Sequence, residues 1–235
     1  MSVRIISTGN EELDRKLPGG LPYPLLLLIE GGHGTGKTVL TQQFVYGALN
    51  QGLRVIVITT ETTVKDYLEK MRSIKMDASL FFIKSRFKIF SSQILGVRWT
   101  RLTASKVLPI LQEWILDKIG IYDVLAIDSL SHLAIYATPS QVMEFFNTIR
   151  NIRDKGKMVI ITLHEGVLRE DLATRARATC DGFFKLGTAT VGGKTFKVLN
   201  IIKLQGAPMV FDSKISFDVD PAFGIKIVPI ALAQA

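Results

Sequence analysis

The sequence predicts an α/β fold, a mostly parallel sheet flanked by helices with an antiparallel β extension at its C-terminal end. Three observations carry this. Short, wholly apolar segments alternate with amphipathic stretches through the first two-thirds of the chain, the pattern of a parallel sheet covered on both faces. A glycine-rich loop ending in Lys37-Thr38 lies between one such segment and the helix-forming stretch that follows. After Cys180, strand-like segments follow one another with glycine turns between them. The chain has 235 residues, enough to bury about 70% of its unfolded surface without a disulfide or metal staple. No linker, repeat or low-complexity tract divides it, so residues 1–235 are expected to form a single domain.

In order along the chain, Leu25–Glu30 is a short apolar strand after Pro22 and Pro24. Thr38–Asn50 reads as a helix, ended by Gln51-Gly52. Leu53–Thr60 is a β-branched strand, and Val64–Lys75 carries Val64, Leu68, Met71 and Ile74 at helical spacing. Lys106–Ile119 is helical with Pro109 in its first turn, where a missing N–H is tolerated. Val124–Ile127 and Met158–Leu163 are strands around a helix at Ser140–Lys155. Phe183–Leu186, Thr195–Leu204, Lys214–Asp218 and Ile225–Leu232 then form the extension, with turns at Gly192-Gly193 and Gly206-Ala207-Pro208.

Composition excludes several classes. Apolar residues make up 47% and charged residues 21%, a globular rather than disordered balance. Cys180 is the only cysteine, so a disulfide scaffold is excluded, and it reads as a packing residue. Apolar runs such as Leu25–Ile29 are too short to span a bilayer, and Met1-Ser2-Val3-Arg4 opens no signal peptide, which predicts a cytoplasmic protein. The net charge is +8, and from Ala78 to Gln112 there is no acid at all. Lys84, Arg86, Lys88, Arg98, Arg101 and Lys106 fall there, with Trp99 and several Phe between them. The stretch is either a solvated face or a docking face for an acidic protein, a phospholipid surface or a polynucleotide.

Gly31-Gly32-His33-Gly34-Thr35-Gly36-Lys37-Thr38 fits G-x-x-x-x-G-K-[ST] and, with Val39, is expected to bind the phosphates of a nucleotide. Glycines let the backbone wrap close to the phosphates with its N–H groups inward, and the next helix aims its positive end at them. Lys37 would reach the β- and γ-phosphates, and Thr38 would supply a hydroxyl to Mg²⁺. Asp128, ending the strand Val124–Ile127, is the carboxylate expected at the metal, through water; Asp123 lies ahead of that strand, at the surface. The expected cofactors are ATP and Mg²⁺.

Hydrolysis needs a residue that orients water and charges that stabilise the γ-phosphate. Glu61 follows a strand whose C-terminal end lies on the phosphate side, which makes it the water-orienting candidate; the plainer alternative is an exposed carboxylate leading into a helix. Thr162 and His164 end a later strand on the same rim and are candidate γ-phosphate sensors; His164 also reads as an ordinary loop histidine.

Ile6-Ser7-Thr8-Gly9-Asn10-Glu11-Glu12-Leu13-Asp14, Gly19-Gly20-Leu21-Pro22, both nucleotide motifs and Ile201-Ile202-Lys203-Leu204-Gln205-Gly206 together resemble the KaiC-like branch of the RecA superfamily over almost the whole chain. Ile6–Asp14 with Gly20–Pro24, Ile58–Thr62 and Ile215–Lys226 are similar, within that branch, to the archaellum accessory ATPase family, FlaH. The resemblance implies a RecA-like P-loop NTPase core, nucleotide near subunit interfaces, a homo-oligomeric, hexameric ring and a cytoplasmic place at the membrane base of the archaellum. The implied partners are the secretion-type motor ATPase, the membrane platform protein and a ring-shaped scaffold protein. It also implies that Lys203 reaches a neighbouring subunit's γ-phosphate in trans.

Two departures from the family pattern bear on turnover. The usual pair of glutamates is Glu61-Thr62 here, and the usual Lys-x-Arg is Lys203-Leu204-Gln205. An arginine in trans contributes about 10³–10⁵ in rate. The expected protein is therefore an ATP-binding switch in archaeal motility with at most weak ATPase activity. A DNA-processing RecA-type ATPase is the alternative, but Ser129–Ile149 holds no Lys or Arg and His164–Asp171 is acidic, so nucleic acid is not an expected partner. A KaiC-like self-phosphorylating ATPase is a third reading, set against a chain with a single motor domain.

Overall fold

The computed structural model describes residues 4–92, 101–222 and 224–229, with backbone alone at 101–104 and 191. The elements are β1 (Arg4–Ile6), α1 (Glu11–Lys16), β2 (Leu21–Tyr23), β3 (Leu25–Gly31), α2 (Lys37–Asn50), β4 (Val55–Thr59), α3 (Val64–Ser73), α4 (Ser79–Ile83), β5 (Phe87–Ser91) and α5 (Arg101–Asp117). They continue with β6 (Val124–Asp128), α6 (Ser131–Ala134), α7 (Pro139–Asp154), β7 (Met158–His164), α8 (Glu170–Thr179), β8 (Gly182–Val191), β9 (Lys194–Leu204), β10 (Lys214–Asp220) and β11 (Gly224–Val228).

The described residues form a nine-stranded sheet, ordered β11-β10-β9-β8-β3-β7-β6-β4-β5. From β8 to β5 every neighbouring pair is parallel; β9, β10 and β11 extend it antiparallel. The expected fold class is therefore observed. Alternation along each core strand feeds two cores. Leu25, Leu27 and Ile29 of β3 join Phe44, Tyr67 and Phe217 on one face, while Leu26 and Leu28 join Phe145, Phe146 and Ile149 on the other. Strands buried on both faces must be apolar throughout, which explains the short continuous runs in the sequence.

The Thr8-to-Asp14 motif is a latch. The Asp14 carboxylate accepts from Ser7 Oγ at 2.6 Å, Thr8 N at 2.8 Å and Thr8 Oγ1 at 2.7 Å. Gln43 of α2 donates to the Thr8 carbonyl at 2.8 Å. At Gly47 a Cβ would stand 2.2 Å from the Ser7 carbonyl oxygen, so only glycine lets α2 lie this close to the latch.

Several elements differ from expectation. α4 and β5 lie inside the acid-free stretch; Phe87 and Ile89 are buried in the core while Lys88 between them points away. Arg98 and Trp99 lie outside the described residues. α5 begins at Arg101, which puts Pro109 in the helix interior rather than its first turn. Pro109 has no N–H for the Ser105 carbonyl, and Gln141 Nε2 donates to that oxygen at 3.3 Å. Gln141 also closes the capping box of α7, its Oε1 accepting from Thr138 N at 2.8 Å. α1, α6, α8, β1 and β2 add to the expected elements. β8 runs on past Leu186 to Val191; β11 ends at Val228, and Ile230–Leu232 lie outside the described residues. Asp123 is half-buried rather than simply at the surface, paired with Arg54 at 2.9 Å.

Candidate functional site

Because β3, β4, β6 and β7 are parallel, their C-terminal ends meet on one rim, with Gly31 opposite His164 and Thr59 opposite Asp128. The loop from β3 to α2 turns on Gly34 and Gly36, whose φ values of 72° and 99° lie in the region that favours glycine. Gly36 caps α2 with no side-chain hydrogen bond, so the first N–H groups of the helix face the loop. Thr35 Oγ1 braces the loop against the Gly32 carbonyl at 2.9 Å, and Val39 packs on the core behind it. Lys37 is buried, its Nζ donating to the carbonyls of Gly31 at 3.0 Å and Gly32 at 2.7 Å. Burial lowers its pKa, opposed by the nearby Glu61 and Asp128 carboxylates.

Asp128 is buried at the end of β6. Its carboxylate accepts from the Thr162 hydroxyl at 2.7 Å and from the Thr38 hydroxyl. Burial raises its pKa; those two hydrogen bonds and Lys37 oppose the rise. A buried carboxylate beside a helix-start hydroxyl and a phosphate loop fits a divalent cation bound through water. The hydroxyl of Thr162, a candidate sensor, is thus engaged with Asp128.

Glu61 stands at the rim with its Oε1 accepting from Ser129 Oγ at 2.9 Å and 3.6 Å from His164 Nε2. Ser129 is itself fixed: its N–H donates to Thr60 Oγ1 at 3.1 Å, and Thr60 Oγ1 donates to its carbonyl at 2.9 Å. Thr62 lies 3.3 Å, hydroxyl to hydroxyl, from Thr59. His164 is mostly buried, held by Ser131 Oγ at its N–H (2.8 Å) and near its Nδ1 (3.2 Å), and packs on the His33 ring at 4.2 Å between centroids. Burial and the neighbouring Lys37 ammonium lower its pKa, which keeps the ring neutral near pH 7. A cleft of about 470 Å³ opens beside it, lined by His33, Thr60, Ser131, His132 and Tyr136 among others.

The site therefore brings together Gly31 to Val39, Glu61, Asp128, Thr162 and His164. It does not bring Lys203 to them. Lys203 pairs with Phe183, which is level with Leu28, whereas Leu186 is level with Gly31, so Lys203 lies roughly 10 Å below the rim along the strand direction. Its Nζ donates to the carbonyls of Ala178 and Cys180 at the end of α8. Gln205 is exposed one turn of sheet further on.

Sequence reasoning missed five participants. Ser129 and Ser131 follow Asp128 directly, but serine after a strand carries no signal of its own. Arg177 of α8 grips the buried Glu30, one residue before the loop, through two hydrogen bonds of 2.9 and 2.8 Å, and that pair raises the guanidinium pKa. Lys197 and Phe217 pack on Gly36: a Cβ there would stand 2.9 Å from Lys197 Cδ and 3.3 Å from the Phe217 ring.

The family model "ATPase: KaiC" matches residues 6–231. The archaeal flagellar ATP-binding protein FlaH of Sulfolobus acidocaldarius is 43% identical over 231 residues, covering 98% of this chain and 100% of that protein. The FlaH of Methanocaldococcus jannaschii is 27% identical over 97% of this chain and 96% of its own. Among solved structures, the flagellar accessory protein FlaH of M. jannaschii superposes with a TM-score of 0.87 at 24% identity, covering 97% of this chain and 100% of that chain. A KaiC-like protein of Pyrococcus horikoshii gives 0.76 at 21%, with the same coverage of both chains. The chain therefore belongs to the KaiC family of ATPases and, within it, to the archaeal flagellar ATP-binding proteins of the FlaH type.

Proposed function

We propose that this chain is the ATP-binding accessory subunit of the archaellum motor and works as a nucleotide-dependent assembly switch with slow or conditional hydrolysis. One observation carries the reading: the residues that grip phosphate converge, while those that would drive turnover are thinned or held. Lys37, Thr38 and Asp128 meet at the loop. The only acid at the end of β4 is Glu61, followed by Thr62, and its carboxylate is hydrogen-bonded to Ser129. Gln205 carries no charge to offer a neighbour's transition state.

Thr38 and, through water, Asp128 would hold Mg²⁺, which neutralises charge on the β- and γ-phosphates. Lys37 would exchange the Gly31 and Gly32 carbonyls for phosphate oxygens. The γ end of the nucleotide would lie by Glu61, Thr162 and His164, and the nucleoside end toward Lys197 and Phe217. Within a single-domain subunit, Lys203 would act across the interface of a hexameric ring and tighten that ring when ATP is bound. The partners of this reading are the secretion-type motor ATPase, the membrane platform protein and the ring scaffold protein, at the cytoplasmic membrane base of the archaellum. The names of its relatives support the archaellum assignment. A pull-down from the native archaeal cell tests it. Motor and platform proteins are expected in the ATP-loaded sample, and their absence under every nucleotide condition overturns the proposal.

A further inference from the structure

Away from the nucleotide site, α4 presents an unusual surface. Leu80 and Ile83 are 68% and 74% exposed, and Phe82 stands out beside them, while Ala78 and Phe81 anchor the segment to the core. The apolar tips are therefore held rigidly outward rather than left on a loose loop. At one end stand Arg72 and Lys75, and at the other Lys84, all exposed. On β5, the outermost strand of the sheet, Lys88 and Phe90 project from the opposite face, where Phe90 packs on Trp114 at 4.8 Å between ring centroids, so the α4 surface consists of α4 and its flanking cations. The acid beside the helix is Asp77, whose carboxylate accepts from Ser79 N at 2.9 Å; no other occurs before Glu113.

We propose that α4 is a wedge that docks the protein on an anionic lipid surface. The apolar part comprises a few side chains on a five-residue helix, well short of the roughly 800 Å² per partner of a standard protein interface. Its two most exposed side chains, Leu80 and Ile83, are aliphatic and offer no ring for a base to stack on. Apolar tips flanked by lysines match a bilayer interface instead: the tips enter the acyl boundary while the ammonium groups stay at phosphate level on flexible stems. Among the described residues no helix is long and apolar enough to cross a membrane, so the contact is peripheral. This inference does not depend on nucleotide.

The test is co-sedimentation of the full chain with vesicles of phosphatidylcholine alone or mixed with phosphatidylglycerol. Pelleting is expected with the mixed vesicles only and should fall as salt rises. Lys84→Ala should lower partition about fivefold, as expected for one cation near an anionic surface. Leu80→Ser with Ile83→Ser should lower it about tenfold. Both positions are exposed, so nucleotide affinity and circular dichroism should stay as in the unmodified protein. Failure to pellet with anionic vesicles overturns the proposal, as does undiminished pelleting of the Leu80→Ser/Ile83→Ser protein. Retention of single-stranded DNA in place of vesicles also overturns it.

Discussion

The phosphate loop and the late strand at Lys203 each place a lysine against backbone carbonyls, yet their surroundings differ. Lys37 is buried beside Thr38, Asp128 and Glu61, and its carbonyl partners belong to the loop that would cradle phosphate. Lys203 is partly exposed at the end of α8, where a cation also suits the helix dipole, and nothing of its own nucleotide site is near. A binding site can thus be assembled within one chain from residues that its own parallel strands bring to one rim, whereas a contact proposed to act in trans, such as that of Lys203 on the interior strand β9, shows no such convergence in the single subunit. The contrast between a complete grip and a thin turnover apparatus rests on that asymmetry.

Breaking the grip should have the largest effect. Lys37→Ala is expected to weaken ATP binding at least tenfold, about 1.4 kcal/mol or more, by calorimetric titration; near-normal affinity would remove Lys37 from the site. The next test restores charge at Gln205, just past β9. Gln205→Arg, alone or with Thr62→Glu, should raise ATP turnover about tenfold from a rate well below the usual ~1–100 s⁻¹ of phosphoryl-transfer enzymes. Unmodified protein turning over at tens per second would contradict the switch.

Lys203→Ala separates the two roles open to that lysine. As a contact in trans it should weaken ATP-dependent assembly severalfold in sedimentation with ATP, compared with ADP. As a helix-end cation alone it should lower thermal stability by about 0.5–1 kcal/mol and leave assembly unchanged. The smallest effect comes from a pair that belongs to neither region. Asp123, hydrogen-bonded to Arg54, has its pKa lowered to about 2 from 3.8. Its stabilisation is present above the unfolded value near 3.8 and is lost as pH falls toward 2. Because Arg54 is well exposed, Asp123→Asn should cost only about 1 kcal/mol at neutral pH and progressively less as pH falls through 2, by thermal melts, with ATP affinity untouched.

The parallel core and the phosphate loop were legible because their signals are local. Apolar runs flanked by helices announce buried strands, and the loop is contiguous from Gly31 to Thr38. What escaped depends on distance or disguise. Lys88 and the basic residues around it masked the alternation of Phe87 and Ile89 in β5. Pro109 argued against a helix interior because its compensation, Gln141, lies in another helix. Glu30 meets Arg177 across 147 residues, which no local pattern reports. The departure at Gln205 was readable only against a family pattern, because a glutamine after a strand carries no signal of its own.

Helix α1 and strand β11, far apart in the sequence, are fastened to each other. Asn10, which caps α1, donates from Nδ2 to the Ile225 carbonyl at 2.6 Å, and Glu12 accepts from Ile227 N at 3.0 Å, each across 215 residues. Synthesis delivers these partners at opposite times. The Asp14 latch and α2 can meet while the chain is still on the ribosome, but α1 receives its last hydrogen bonds only once β11 has been released. Such a separation raises contact order and delays the final closing step. A nascent chain would accordingly carry a formed phosphate loop before it carries a sealed outer edge, and its sensitivity to proteolysis should end only with the last strand.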